Sequence, residues 1–103
     1  MYEWDEQNLS HIAKHGVSAE EAEEVIENNP LDLELQFING EERVPSLGET
    51  KAGRILLVVS RWIEEKQSIR VVTAFDPKPF WREKYLVWKG KQYGERVENP
   101  GIP

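Results

Sequence analysis

Cysteine is absent from the 103 residues. That excludes a disulfide framework and any thiolate metal site, and it suits a reducing compartment. Long apolar runs are missing too. The longest, Ile55 to Val59, is far shorter than the ~20 residues a membrane-spanning helix needs. The opening MYEWDEQNLS is acidic and holds no apolar stretch, so it does not read as a secretory signal. Two histidines occur, His11 and His15, with no third ligand evident beside them, so no metal and no cofactor are expected. No repeat or low-complexity tract interrupts the chain. These absences predict a soluble cytoplasmic protein that does not bind membranes. The length allows one domain with a modest core.

Charge is plentiful but unevenly placed. Residues 1–50 carry 13 acids and two bases, and residues 51–103 carry six acids and 11 bases. The halves therefore stand at −11 and +5 within the total of −6. One source of such a split is a single acidic helix with a solvated face; the other is two surfaces with different partners. The acidic total argues against non-specific nucleic-acid binding over the whole surface, while leaving room for a local basic cleft.

Asp5 is a helix N-cap residue, and Leu9, Ile12 and Ala13 follow at the three-and-four spacing of a buried face. Gly16 ends that helix, with Lys14 and His15 in the last turn, where positive charge suits the dipole. Ser18 with Glu21 matches the S-x-x-E capping box of a second helix, and Val17 sits in the staple position to Ala22. Ala19, Ala22, Val25 and Ile26 form its apolar stripe, Glu20, Glu23, Glu24 and Glu27 its wet face, and Pro30 its end. Leu31, Leu33, Leu35 and Phe37 then alternate with polar residues as one half-buried strand, and Asn39-Gly40 predicts a hairpin turn. The returning strand, Glu41 to Val44, stops at Pro45, and residues 45–53 read as loop. Arg54 to Trp62 reads as a central strand, and Ser68 to Phe75 as the next, with Ile69, Val71, Thr73 and Phe75 on one face and Arg70, Val72 and Ala74 on the other. A last helix over Phe80 to Lys89 places Trp81, Tyr85 and Trp88 close to one face. The order α-α-β-β-β-β-α predicts an α+β domain over residues 1–90. It comprises an N-terminal αα-hairpin, a four-stranded antiparallel sheet and a C-terminal helix, followed by a polar tail over 91–103.

Five segments recur together at characteristic spacings: Y-E-W-D-E (2–6), N-x-x-H-I-A-K-H-G-V-S-x-E-E-A (8–22), G-E-E-R (40–43), A-G-R-I-L-L-V-V (52–59) and I-R-V-V-T-A (69–74). In this combination the chain resembles the BrnT-type toxins of bacterial type II toxin–antitoxin pairs, over roughly residues 2 to 85. K-H-G-V-S-x-E-E-A is the most specific part. The resemblance implies a RelE-like fold and metal-independent cleavage of RNA that blocks translation. It also implies a small BrnA-like antitoxin, of ribbon–helix–helix type, and either a homodimer or a toxin–antitoxin heterotetramer. The chain departs from the family after Ala74. Phe75 stands where the family usually has Arg, and F-D-P-K-P-F-W-R-E-K-Y replaces part of its basic run. That departure supports a rival reading, a catalytically inactive BrnT-like module that binds an antitoxin or regulatory partner.

Metal-free RNA cleavage needs a base for the 2′-hydroxyl, an acid for the leaving oxygen, and fixed positive charge for the crowded phosphorane. Arginine suits the last role, because its planar fork binds two phosphate oxygens and stays ionised. The candidate catalytic residues are Arg70 and Arg43, to hold the phosphate, with Arg82 assisting and Lys14 lining the site. Tyr85 or a nearby carboxylate would move a proton. Lys14 as a phosphate contact and His15 as a proton shuttle have a second reading as last-turn cations, Arg43 as an edge-strand charge, and Arg70 as a salt-bridge partner for the second helix. Arg54 and Arg61 read as solvated strand ends. Lys78, Lys84, Lys89 and Trp81, with Arg96 and Tyr93 beyond them, interleave cations and aromatics as a single-strand RNA surface would. The aromatics among them read equally well as the apolar face of a docking helix.

Overall fold

The computed structural model describes the backbone of residues 1–101 and the side chains of residues 1–91. Its order is β1 (Tyr2–Glu3), α1 (Glu6–Ala13), α2 (Ala19–Glu27), β2 (Leu31–Asp32), β3 (Gln36–Ile38), β4 (Glu41–Glu49), β5 (Ile55–Ile63), β6 (Ser68–Phe75) and α3 (Pro79–Gly101). Both early helices begin with complete capping boxes, Asp5 with Asn8 and Ser18 with Glu21. Gly16, at φ 72°, makes the corner between them.

The face of α1 differs from the expected one. Asn8 and Ile12 are buried, whereas Leu9 is 40% exposed. Asn8 takes the inner position because its amide donates to the carbonyls of Glu3 and Val71, each at 3.0 Å. Two backbone acceptors at that corner favour an amide over a leucine.

Six strands form the mixed α+β fold where four were expected. The sheet runs β1-β6-β5-β4-β2, with β3 also paired to β4. Two differences account for the count, and a third lengthens an expected strand. Tyr2–Glu3 adds an edge strand parallel to β6, so the sheet is not wholly antiparallel. The stretch from Leu31 splits into β2 and β3, and Leu35 and Phe37 on it are exposed. Strand β4 runs through Pro45 to Glu49 instead of stopping. Pro45 is tolerated because it lies where the outer partner of β4 changes from β3, opposite 41–43, to β2, opposite 46–47.

Helices cover both faces. Ile12, Val17, Ala22 and Val25 of the α1–α2 layer meet Leu56, Val58, Val71 and Ala74. On the opposite face Tyr85 of α3 packs with Leu47 and Ile55, joined by Leu57 and Trp88. Each fully buried aliphatic side chain contributes roughly 1.5–3 kcal/mol. Gly48 admits α2 closely: a Cβ there would sit 3.0 Å from Val25 Cγ1 and 3.1 Å from Pro30 Cβ. Helix α3 passes the expected end at Lys89, its backbone continuing to Gly101. The side chains of the tail expected over 91–103 lie outside the described residues from 92 onward, Tyr93 and Arg96 included.

Candidate active site

Strand β6 carries a bulge. Val59 pairs with Thr73, but Ser60 pairs with Val71, so Val72 has no partner. The expected alternation therefore breaks at Val72. Val71 and Ala74 both turn to the α1–α2 core, and Arg70 and Thr73 share the other face. Beyond the bulge Arg61 lies directly opposite Arg70. On the other side of β5, the Val44–Ser60 pair leaves Arg43 and Arg61 as the next neighbours. Arg70 in turn faces Glu3 of β1. Three arginines from three strands thus cross the sheet in one row, on the face that α3 covers only at its far end.

This row floors a concavity of about 490 Å³, walled on one side by Gln7 and His11 of α1 and by Thr73. Glu41 holds two of the arginines together: Arg43 Nη2 donates to Oε1 at 3.2 Å, and Arg61 Nη2 stands 3.5 Å from Oε2. Arg43 Nε is buried with no hydrogen-bond partner among the described residues. Arg70 is held from the β1 side. Its Nη1 and Nη2 donate to the two Asp5 oxygens at 2.9 and 3.3 Å, and Nη1 lies 3.5 Å from Glu3. The bond from Asp5 raises the Arg70 pKa, and Arg70 holds the Asp5 carboxyl below its usual range. Glu3 is lowered first by Lys66, which also pairs with it, and then by Arg70. His11 Nε2 is 3.0 Å from Thr73 Oγ1. Its ring meets His15 edge-on at 5.6 Å, and His15 leans on Phe75 at 5.8 Å. Among the described residues no group of three or more His, Cys, Asp or Glu side chains is placed to hold a metal.

The structure brings Arg43 and Arg70 together and adds Arg61 and His11, which residue patterns alone did not select. The other candidates lie elsewhere. Lys14 is exposed at the C-terminal cap of α1 and is not among the lining groups. Tyr85 is buried, and its hydroxyl donates to Glu49 Oε1 at 3.0 Å. Lys89 pairs with that same carboxylate. Arg82, Lys78, Lys84 and Trp81 sit exposed at or beside the start of α3, where Lys84 lies 5.5 Å over the Phe80 ring. Phe80, Trp81, Val87 and Trp88 also border an apolar groove with Leu31 and Leu33.

Arg54 is not a solvated strand end. Its guanidinium donates to Gly16 O at 2.9 Å, to both Glu21 oxygens at 3.1 and 3.2 Å, and to both Asp76 oxygens at 3.2 and 2.9 Å. It ties the α1–α2 corner to the end of β6.

A family model described as "Ribonuclease toxin, BrnT, of type II toxin-antitoxin system" matches residues 4–78, well over half of the chain. The arginine row and His11 fall inside the match, and α3 begins at the residue after it. No curated protein matches the chain. Among the described residues no helix is long and apolar enough to cross a membrane.

Proposed function

The chain belongs to the BrnT family of ribonuclease toxins of type II toxin–antitoxin systems, and on that footing we propose that it cleaves RNA without a metal in the arginine concavity, and so blocks translation. One observation carries this reading. Arg43, Arg61 and Arg70 stand side by side on adjacent strands, and like charges in directly opposed positions destabilise a sheet. An anion that needs several guanidiniums at once is the reason to keep them there. A phosphodiester is such an anion, and its charge grows toward the phosphorane.

Glu41 acts as the placeholder for that phosphate, one carboxylate spanning two forks. Arg70, held by Asp5, is the more fixed end of the row. From there the RNA strand runs over the same face toward Lys78, Arg82, Lys84 and Trp81, and Lys14 contacts a flanking phosphate. Tyr85 and Lys89, gathered on Glu49, anchor α3 to the sheet. A RelE-like fold is part of the same proposal, and it rests on the family.

The family implies an antitoxin partner. We place on the antitoxin a carboxylate-bearing segment that competes for the arginine row, carried by a BrnA-like, ribbon–helix–helix protein.

The rival reading, an inactive binding module, has one observation in its favour: each of the three arginines has a carboxylate neighbour within 3.5 Å. Incubation of the purified chain with RNA in excess chelator separates the two. The nuclease reading expects cleavage to persist, with 2′,3′-cyclic phosphate and 5′-hydroxyl ends. Intact RNA at high protein concentration would leave only the binding module.

A further inference from the structure

We propose that His11 is the proton-transfer residue of this site, an assignment that rests on the nuclease reading above. The placement is specific. Helix α1 buries Asn8 and Ile12, and this rotation sends His11 along β6 to Thr73. The bulge at Val72 is what sets Thr73 on the same face as Arg70. His11 therefore lines the concavity with all three arginines.

Elimination by chemistry leads to the same residue. A group that accepts a proton near neutral pH is required, and arginine does not release its own. Glu41 occupies, on the reading above, the place the phosphate takes and must give it up, and Tyr85 is buried against Glu49. Gln7, Asn8 and Thr73 do not titrate. His11 is the lining group that remains. The charged and titratable groups around it are His15 on its own helix and, from the sheet, Glu41, Arg43, Arg61 and Arg70, the last with Asp5 and Glu3 behind it.

The Thr73 hydroxyl holds the ring and can pair with Nε2 as acceptor or as donor. When Nε2–H donates to Thr73 Oγ1, the lone pair lies on Nδ1. Neutral His11 takes the proton of the ribose 2′-hydroxyl, and O2′ forms a bond to phosphorus. The P–O5′ bond breaks, and the 5′-oxygen takes a proton from water. The imidazolium then returns its proton to solvent. The products are a 2′,3′-cyclic phosphate and a 5′-hydroxyl. Thr73 is a positioning residue: it holds the ring and touches no reacting atom.

The test is single-turnover cleavage of an RNA oligonucleotide in chelator by the full chain, its His11→Ala and His11→Gln variants, and Thr73→Val. His11 is exposed, so circular dichroism should be unchanged in both His11 variants. Both should lose roughly 10²–10⁴-fold in rate without losing RNA affinity. The acid limb of the pH–rate profile should vanish, and added imidazole should partly restore His11→Ala. Thr73→Val should show a smaller loss with the limb displaced. If His11→Ala cleaves at the parent rate with the parent pH profile while Arg61→Ala is dead, the assignment is wrong and the nuclease reading stands. If affinity falls and the chemical step does not, His11 merely binds phosphate, and the assignment again fails. If the parent chain does not cleave at all, both ideas fall together.

Discussion

Glu41 and Arg61 show how a residue's meaning depends on what folding puts beside it. Arg43 and Arg70 were legible in the sequence, because each sits in a recognisable segment, G-E-E-R and I-R-V-V-T-A. Arg61 was not, because it lies outside those segments and its alignment with Arg70 depends on a bulge. Strict alternation along β6 would have set Arg70 and Thr73 on opposite faces. No residue pattern announces the bulge, since Val72 is an ordinary strand residue. Glu41 then holds Arg43 and Arg61 together, in the place the proposed site gives to a phosphate. Replacing it with Gln removes the competing charge but keeps the shape. Glu41→Gln should therefore bind RNA several-fold more tightly, each tenfold being about 1.4 kcal/mol. It should also still cleave. Fluorescence titration and a cleavage assay check this together, and an inactive Glu41→Gln variant would mean that the carboxylate itself moves the proton.

Between elements, the corner of α1 and α2 was readable from its caps and its glycine, since capping is local chemistry. What fastens that corner to the sheet was not, because Arg54 joins residues 22 to 38 positions away. Its partners report on acid stability. The Arg54 bond lowers the Asp76 pKa against a smaller opposing effect of burial. For Glu21 burial pushes upward, but the Ser18 amide and Arg54 outweigh it, and the net direction is down. A carboxylate with a lowered folded-state pKa stabilises the fold fully above its unfolded value, near 4, and loses that contribution as pH falls through the folded value. Asp76 is largely exposed, so the contribution is modest, up to about 1 kcal/mol. Asp76→Asn should be less stable than the parent in urea at pH 7, and the gap should close as pH drops below about 4. A gap independent of pH would show that the pair contributes nothing electrostatic.

Across the whole molecule, the charge asymmetry has a structural explanation in its acidic half. Glutamates expected to face water instead stitch α2 to its surroundings: Glu23 accepts from Trp4 Nε1 at 2.7 Å, Glu27 from the Tyr2 hydroxyl at 2.8 Å, and Glu24 from the Lys51 amide at 3.0 Å. Those acids lie on the α1–α2 side, while the arginine row opens on the α3 side. The arginines of an acidic protein are thus gathered on one face, each beside a carboxylate. The fold class was visible from the order of periodicities. The strand count was not, because two-residue strands and a proline-bearing one carry too little pattern to recognise.

The central claim is that these three guanidiniums act as one phosphate-binding row. Titrating a 2′-deoxy, uncleavable oligonucleotide into the parent chain and Arg61→Ala over a series of salt concentrations tests it most directly. Weaker binding by the variant, with a salt dependence shallower by about one charge, is the predicted result. Equal affinities with parallel salt slopes would contradict it, and the row would then be only an internal ion-pair network.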